Sequence, residues 1–205
     1  MSKSAIPSNA KEIIAQRYED GSKAAAEYFL EGEKIGFRSW YENGQVEMEE
    51  VYQNGRRHGI TRRWHPNGQL MWQSCYDEGM EHGTARQWNS RGELLGTYEM
   101  DRGTGIDRWW DDDGNLAEER HVRDGLLHGL ERWWSGKQLT EEKWWRNGEP
   151  HGIWREWNLD GKLRRGYPQF YINGKRVEKS QYLEACRQDP TLPRYVEDED
   201  GSDRF

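Results

Sequence analysis

Hydrophobic and aromatic positions alternate with polar ones through most of the chain, in short runs broken by Gly-containing turns. Alternation at every second residue is the mark of strands with one face turned inward. The clearest runs are Ile60/Arg62/Trp64, Thr84/Arg86/Trp88, Ile106/Arg108/Trp110, Leu130/Arg132/Trp134 and Ile153/Arg155/Trp157. Each occupies positions i, i+2 and i+4, so each shares one side of a sheet, and Arg38 and Trp40 extend the pattern. In the returning strands, Leu70/Trp72/Tyr76, Leu94/Tyr98 and Leu116/Val122 are expected on that same side. The opposite side is mixed, with Arg63, Gln87, Glu131 and Glu156 beside Trp133 and Trp154.

The turns make these strands into hairpins. Asn43-Gly44, Asn54-Gly55, Pro66-Asn67-Gly68, Asn147-Gly148 and Asn173-Gly174 accept positive φ at little cost. A full unit reads Tyr52, Gly55, His58-Gly59, Trp64, Gly68, Leu70, and the next reads Tyr76, Gly79, His82-Gly83, Trp88, Gly92, Leu94. The first Gly of successive units falls at Gly32, Gly55, Gly79, Gly103, Gly125, Gly148 and Gly174, in steps of 23, 24, 24, 22, 23 and 26. A period of this size predicts an all-β repeat, an elongated antiparallel β-hairpin array in which stacking of units builds the interior.

The repeat spans residues 28–174. Residues 1–27 are expected to hold a flexible leader (1–9) and a helical cap over Lys11–Tyr28, because Ser8 or Asn9 can cap one helix and Ser22 precedes Lys23-Ala24-Ala25-Ala26-Glu27. Residues 175–205 are expected to form a second cap, a short helix from Glu178 to Arg187 ended by Pro190 and Pro193, followed by the acidic tail Glu197–Asp200.

Composition changes this picture in two ways. Ile, Leu, Val and Phe make up only about 15% of the chain, a content that alone suggests disorder. Twelve Trp and ten Tyr replace them, and aromatic rings can hold a thin sheet half open to water. The net charge of -7 disfavours phosphate-directed nucleic-acid binding and suits a basic partner. The first ten residues lack the apolar run of a signal peptide, and no stretch approaches a membrane span, so a cytoplasmic location is expected. Cys75 and Cys186 read as free thiols.

Few residues suggest chemistry. The Arg column is expected to stack its guanidinium planes on Trp rings, each contact worth about 0.5–2 kcal/mol. The rival reading is a basic-aromatic stripe for anions or lipid headgroups. His58, His82, His128 and His151 recur once per unit, roughly 10 Å apart, too far to share a metal, and are assigned to turns or packing. His65 and His121 have no evident partner. Asp111-Asp112-Asp113-Gly114 is an acidic turn that lacks the spacing of a calcium loop. No hydrolase, zinc, redox or phosphate-loop motif occurs, so no catalytic residue, metal or cofactor is assigned and no enzymatic activity is expected.

The unit from Tyr52 to Leu70 resembles the MORN-variant repeat of bacterial proteins, including YwqK-type antitoxins of toxin-antitoxin systems. The likeness covers roughly residues 28–174 and implies a single-layer MORN-like sheet. It also implies an antitoxin or immunity-type protein that binds a cognate protein toxin, with acidity favouring a basic one such as a nuclease. Structural roles fall to Trp40, Trp64, Trp88, Trp110, Trp134, Trp157, Arg62, Arg86, Arg108, Arg132 and Arg155. Partner binding is placed where the pattern lapses, at Trp109, Asp111, Asp112, Asp113, Trp133, Trp154 and Glu156. The lapses are Ile35-Gly36 and Thr104-Gly105 for His-Gly, and the shortened turn Trp134-Ser135-Gly136. The alternative is a scaffold or membrane-peripheral module, against which net acidity counts.

Overall fold

A computed structural model describes residues 4–196 as eighteen strands and one short helix, divided between two compact units. The first unit runs to Gly103 and includes Asp112–Gly114; the second comprises Thr104–Asp111 and the chain from Asn115. In the first unit β1 (Lys11–Arg17), β2 (Lys23–Leu30), β3 (Glu33–Trp40), β4 (Val46–Gln53), β6 (Gly59–Trp64), β7 (Leu70–Asp77), β9 (Gly83–Trp88) and β10 (Leu94–Asp101) form an antiparallel meander. The two-residue strands β5 (Arg56–Arg57) and β8 (Met80–Glu81) complete its hairpins. The second unit repeats the scheme with β11 (Thr104–Trp110), β12 (Leu116–Arg123), β13 (Leu126–Ser135), β14 (Gln138–Arg146), β15 (Glu149–Pro150), β16 (Gly152–Glu156), β17 (Gln169–Ile172) and β18 (Lys175–Val177). Helix α1 (Lys179–Ala185) follows.

Two kinds of turn alternate. At one edge, Glu31-Gly32, Asn54-Gly55, Glu78-Gly79, Arg102-Gly103, Asp124-Gly125, Asn147-Gly148 and Asn173-Gly174 all hold positive φ at both residues, as the tight hairpin turn matched to strand twist requires. Their glycine amides tie neighbouring units together: Gly79 N–H donates to the Arg57 carbonyl (2.8 Å) and Gly148 N–H to that of Leu127 (2.8 Å). The following His-Gly is a bulge. His58, His82 and His151 donate their amides back to Val51, Cys75 and Trp144, each at 2.9 Å. The imidazoles of His58 and His82 then reach forward to Asp77 (3.5 Å) and Asp101 (3.3 Å), and that of His128 to Asn147 (3.0 Å).

At the other edge, a five-residue turn recurs as Tyr41–Gln45, His65–Gln69, Asn89–Glu93 and Asn158–Lys162, closed by the first amide on the fifth carbonyl. In two copies the leading side chain binds the next repeat, whereas Asn89 closes its own turn on Arg91 and Glu93. Tyr41 O–H donates to the Trp64 carbonyl (2.8 Å), and His65 Nε2 meets the Trp88 carbonyl (3.0 Å), which supplies the partner His65 lacked in the sequence.

The N-terminal region departs from expectation. Lys11–Tyr28 contains strands β1 and most of β2, not helices, because Tyr18–Ser22 is one more copy of the five-residue turn, with Gly21 at φ 85° and Tyr18 O–H on the Trp40 carbonyl. The helix preference of Ala24–Ala26 yields to pairing on both sides: Ala26 faces Ile14 and Arg38 across the sheet. Ser4, Ala5 and Ile6 pack on the sheet. Ile6 is buried against Ala26 and Tyr28 and fills the space that Gly36 leaves open, where a Cβ would lie 2.6 Å from Ile6 Cδ1. The repeat therefore starts one unit before residue 28.

A second correction concerns the faces. Opposite Trp64 stands Leu70, but opposite Arg63 stands Trp72, so Met71 is an extra residue in a β-bulge. The same irregularity leaves Glu47, Leu95, Ala117 and Thr140 unpaired. One extra residue reverses the alternation. Leu70, Leu94 and Leu116 thus share the arginine face, whereas Trp72, Tyr76, Tyr98 and Val122 lie on the opposite face.

At the C-terminal end the expected helix is present, shortened to Lys179–Ala185, with the Glu178 amide held by Gln181 (3.1 Å). Tyr182, Ile153, Phe170 and Leu192 form a buried cluster beneath it, and Tyr182 O–H donates to the Pro193 carbonyl (2.7 Å). Glu197–Asp200 lies outside the described residues. His151, 2% exposed, accepts the Asn173 amide on Nδ1 (3.2 Å) and places Nε2 3.1 Å from Thr191 Oγ1. Burial, reinforced by Arg146 against the opposing pull of Asp189, holds its pKa below the ordinary 6.5.

Two outcomes follow from these features. In urea unfolding, Glu78→Asn raises stability by about 0.5–1 kcal/mol, since Asn tolerates the left-handed region better, and Gly79→Ala lowers it by more than about 1 kcal/mol. Because unfolded His151 takes a proton near pH 6.5 and the folded residue resists it, stability is complete above that pH and falls below it. His151→Gln lowers stability at pH 7 but flattens the decline between pH 7 and roughly pH 5.5, the remaining slope following His121, whose pKa burial also lowers.

Candidate protein-docking face

The arginine face is a cross-strand ladder. In the first unit Ala26, Arg38, Glu49, Arg62, Gln73, Arg86 and Thr97 are successive partners across the strands. In the second the row is Arg108, Glu119, Arg132, Glu142 and Arg155. Most of these guanidinium groups meet a carboxylate or amide: Arg62 Nε donates to Gln73 (2.9 Å), Arg108 Nε to Glu119 (2.9 Å), Arg132 Nε to Glu142 (3.1 Å) and Arg155 Nη1 to Glu142 (3.0 Å). Exposed Arg86 pairs across the strands with Thr97. Stacking on aromatics accompanies this pairing, with Arg38 5.3 Å from the Tyr28 ring and 5.9 Å from Trp40.

In the first unit the N-terminal segment covers part of this face. Glu49, 2% exposed, accepts Ser4 O–H (2.8 Å), the Ala5 amide (2.8 Å) and Arg38. Burial would raise its carboxyl, but these donors hold it below the ordinary range. Trp40, Trp64, Trp88 and Trp110 end their strands, and Trp134 stands one residue before the end of its own, opposite Val46, Leu70, Leu94, Leu116 and Leu139, at the bulge, while Trp157 bridges to Leu163 and is 3% exposed.

The opposite face of the second unit has another character. One row across its strands is Trp109, Glu118, Trp133, Glu141 and Glu156; the next is Asp107, Arg120, Glu131 and Lys143. Five carboxylates thus stand against Arg120, Lys143 and, on Glu156, Arg164 (2.9 Å). Glu141 and Glu156 are direct cross-strand partners, a like-charged pairing that a sheet disfavours. Internal cations temper it: Lys143 pairs with Glu141, and Arg120 with Asp107. Burial raises the Glu118 carboxyl, Arg120 opposes this, and Asp107 and Glu131 add to it.

Aromatic rings continue this surface. Trp145 donates its indole N–H to Glu131 (2.8 Å), Trp145 and Trp154 lie 5.2 Å apart, Trp154 and Tyr171 4.5 Å, and Lys143 Nζ sits 5.3 Å from the Trp154 ring. Trp133 is exposed, at 39%.

The structure therefore brings Trp109, Trp133, Trp154 and Glu156 onto one face. It does not join the acidic turn to them. Asp111 spends its carboxylate on the Asn115 amide (2.9 Å) and side chain (3.0 Å), as a turn-closing residue. Asp112 groups with the first unit, where it accepts Ser90 O–H (2.9 Å), and Asp113 groups with it there, both in the field of Arg91. Glu118, Glu141, Trp145 and Tyr171 were not singled out in the sequence; counting one bulge residue after each Leu would have placed Glu118 beside Trp133. Among the described residues, no three His, Cys, Asp or Glu side chains converge as a metal site.

Ladder residues and face residues should respond differently to mutation. Glu142→Ala strands the Arg155 charge, only 2% exposed, and is expected to lower stability by about 3–5 kcal/mol, whereas replacing both Glu142 and Arg155 by Met lowers it by less than either single change. A urea double-mutant cycle measures this.

The family model described as MORN repeat variant matches residues 37–54 and 57–78, which hold the second half of β3 and all of β4, β6 and β7. No curated protein matches the chain. The hairpins of residues 37–54 and 57–78 are thus similar to MORN-variant repeats, and the later hairpins keep the same turn spacing.

Proposed function

We propose that this chain is a cytoplasmic antitoxin or immunity-type protein of the bacterial YwqK kind, without enzymatic activity. In this reading it neutralises a basic protein toxin through the opposite face of the second unit. MORN-variant repeats form a scaffold suited to protein interaction. The observation that carries the finer reading is the surplus of carboxylates interleaved with Trp109, Trp133 and Trp154, since a negative field speeds the approach of a basic partner and aromatic anchors hold it. The net charge of -7 agrees in sign.

A membrane-peripheral role would draw on the arginine face. That face pairs its guanidinium groups with Glu49, Glu119 and Glu142, so it offers little unneutralised charge to an anionic surface. Among the described residues, no helix is long and apolar enough to cross a membrane.

Co-expression with the product of a toxic neighbouring gene tests the proposal. Growth is restored and the two proteins copurify, and Glu141→Lys slows association several-fold at low salt and less at high salt. Neither rescue nor a stable complex with any adjacent product overturns it.

A further inference from the structure

The opposite face of the second unit holds one position built for a single kind of side chain. Trp133 is its most exposed ring, and its direct cross-strand partners are Glu118 on one side and Glu141 on the other. Direct partners lie about 5 Å apart at Cβ, so the ring is flanked by two carboxylates at side-chain distance. Beyond Glu118 stands Trp109, and beyond Glu141 stands Glu156.

Internal cations already engage one side of each of these carboxylates and leave the ring between them uncovered. Lys143 lies over Trp154 and pairs with Glu141, so an aromatic ring and a carboxylate jointly hold an ammonium group. Arg120 pairs with Asp107 and lies 3.1 Å from Glu118 Oε1. That oxygen is buried without an aligned hydrogen-bond donor. Among the described residues no cation covers Trp133.

We infer that Trp133, Glu118 and Glu141 form a receptor for an arginine side chain on the surface of a basic partner protein. The guanidinium plane lies on the indole, and its forked donors reach the carboxylates on both sides. Arginine fits better than lysine because a planar cation stacks on a ring and donates sideways at once, while an ammonium group is a compact point charge. The like-charged rows suit such a partner, since an added cation relieves the repulsion between Glu141 and Glu156. The inference rests on this face being the partner-binding surface; the partner need not be a toxin.

The full chain, labelled with nitrogen-15 at Trp, is titrated with the peptide acetyl-Gly-Arg-Gly-amide. Parallel titrations use its lysine analogue and its citrulline analogue, which keeps the shape and loses the charge. The Trp133 indole signal, assigned through Trp133→Phe, is expected to shift saturably with the arginine peptide. Lysine binds about fivefold more weakly, and citrulline gives no saturable shift. Glu141→Gln, at the more exposed carboxylate, weakens arginine binding without unfolding the chain, and Glu118→Gln does so where circular dichroism shows the fold intact. Equal shifts with arginine and citrulline, shifts spread over all indoles, or undiminished binding in Glu141→Gln overturn the site. Failed rescue of a toxic neighbour with arginine binding intact overturns only the antitoxin reading, and rescue with arginine binding absent overturns only this anchor.

Discussion

The arginine face depends on alternating charge across its strands. A thin sheet with few aliphatic residues cannot rely on a thick hydrophobic interior, and here guanidinium and carboxylate groups occupy facing positions where apolar side chains would otherwise stand. Glu142 is the clearest case: it is 6% exposed and holds both Arg132 and Arg155. A buried carboxylate is costly alone and tolerable when donors approach from two sides. The recurrence of Arg two residues before Trp is therefore a rule about neighbours. Arg62 donates to Gln73 on the strand after it and lies 4.0 Å from Glu49 on the strand before it, and Glu142 joins Arg132 to Arg155, so the pairing ties one repeat to the next.

The bulge is the second constraint. Each unit inserts one unpaired residue after the Leu or Val that faces its Trp, so alternation changes sense once per hairpin. The turn glycines were legible because positive φ leaves few residue choices, and all seven predicted glycines adopt it. The outgoing strands, with Arg62 and Trp64, were legible because no insertion interrupts them. Trp72, Tyr76, Tyr98 and Val122 were misplaced because alternation carries no mark of an inserted residue; Met71 and Ala117 look like ordinary strand positions.

The N-terminal strands were hidden for another reason. Three consecutive alanines favour a helix locally, and only pairing with β1 and β3 makes small residues useful there. Asp20-Gly21 was the available signal, since it sits one repeat before Asn43-Gly44. The strap from Ser4 to Ile6 could not be read at all: its role depends on Gly36 and Glu49, which lie 30 and 44 residues from their partners Ile6 and Ala5 in the chain.

The two faces of the second unit differ in where their cations are placed. On the arginine face, positive and negative groups alternate in the row, and the C-terminal helix with Leu192 and Tyr195 covers one end, where Arg155 is 2% exposed. On the opposite face, Glu141 stands against Glu156 and Glu118 lies between two Trp rings. Like charges retained in register work against the sheet that carries them. The sheet tolerates them because the ladder on its other side and the stacked turns already fix the strands. That freedom is what lets one surface of a repeat scaffold be shaped for a partner while its periodic residues hold the fold.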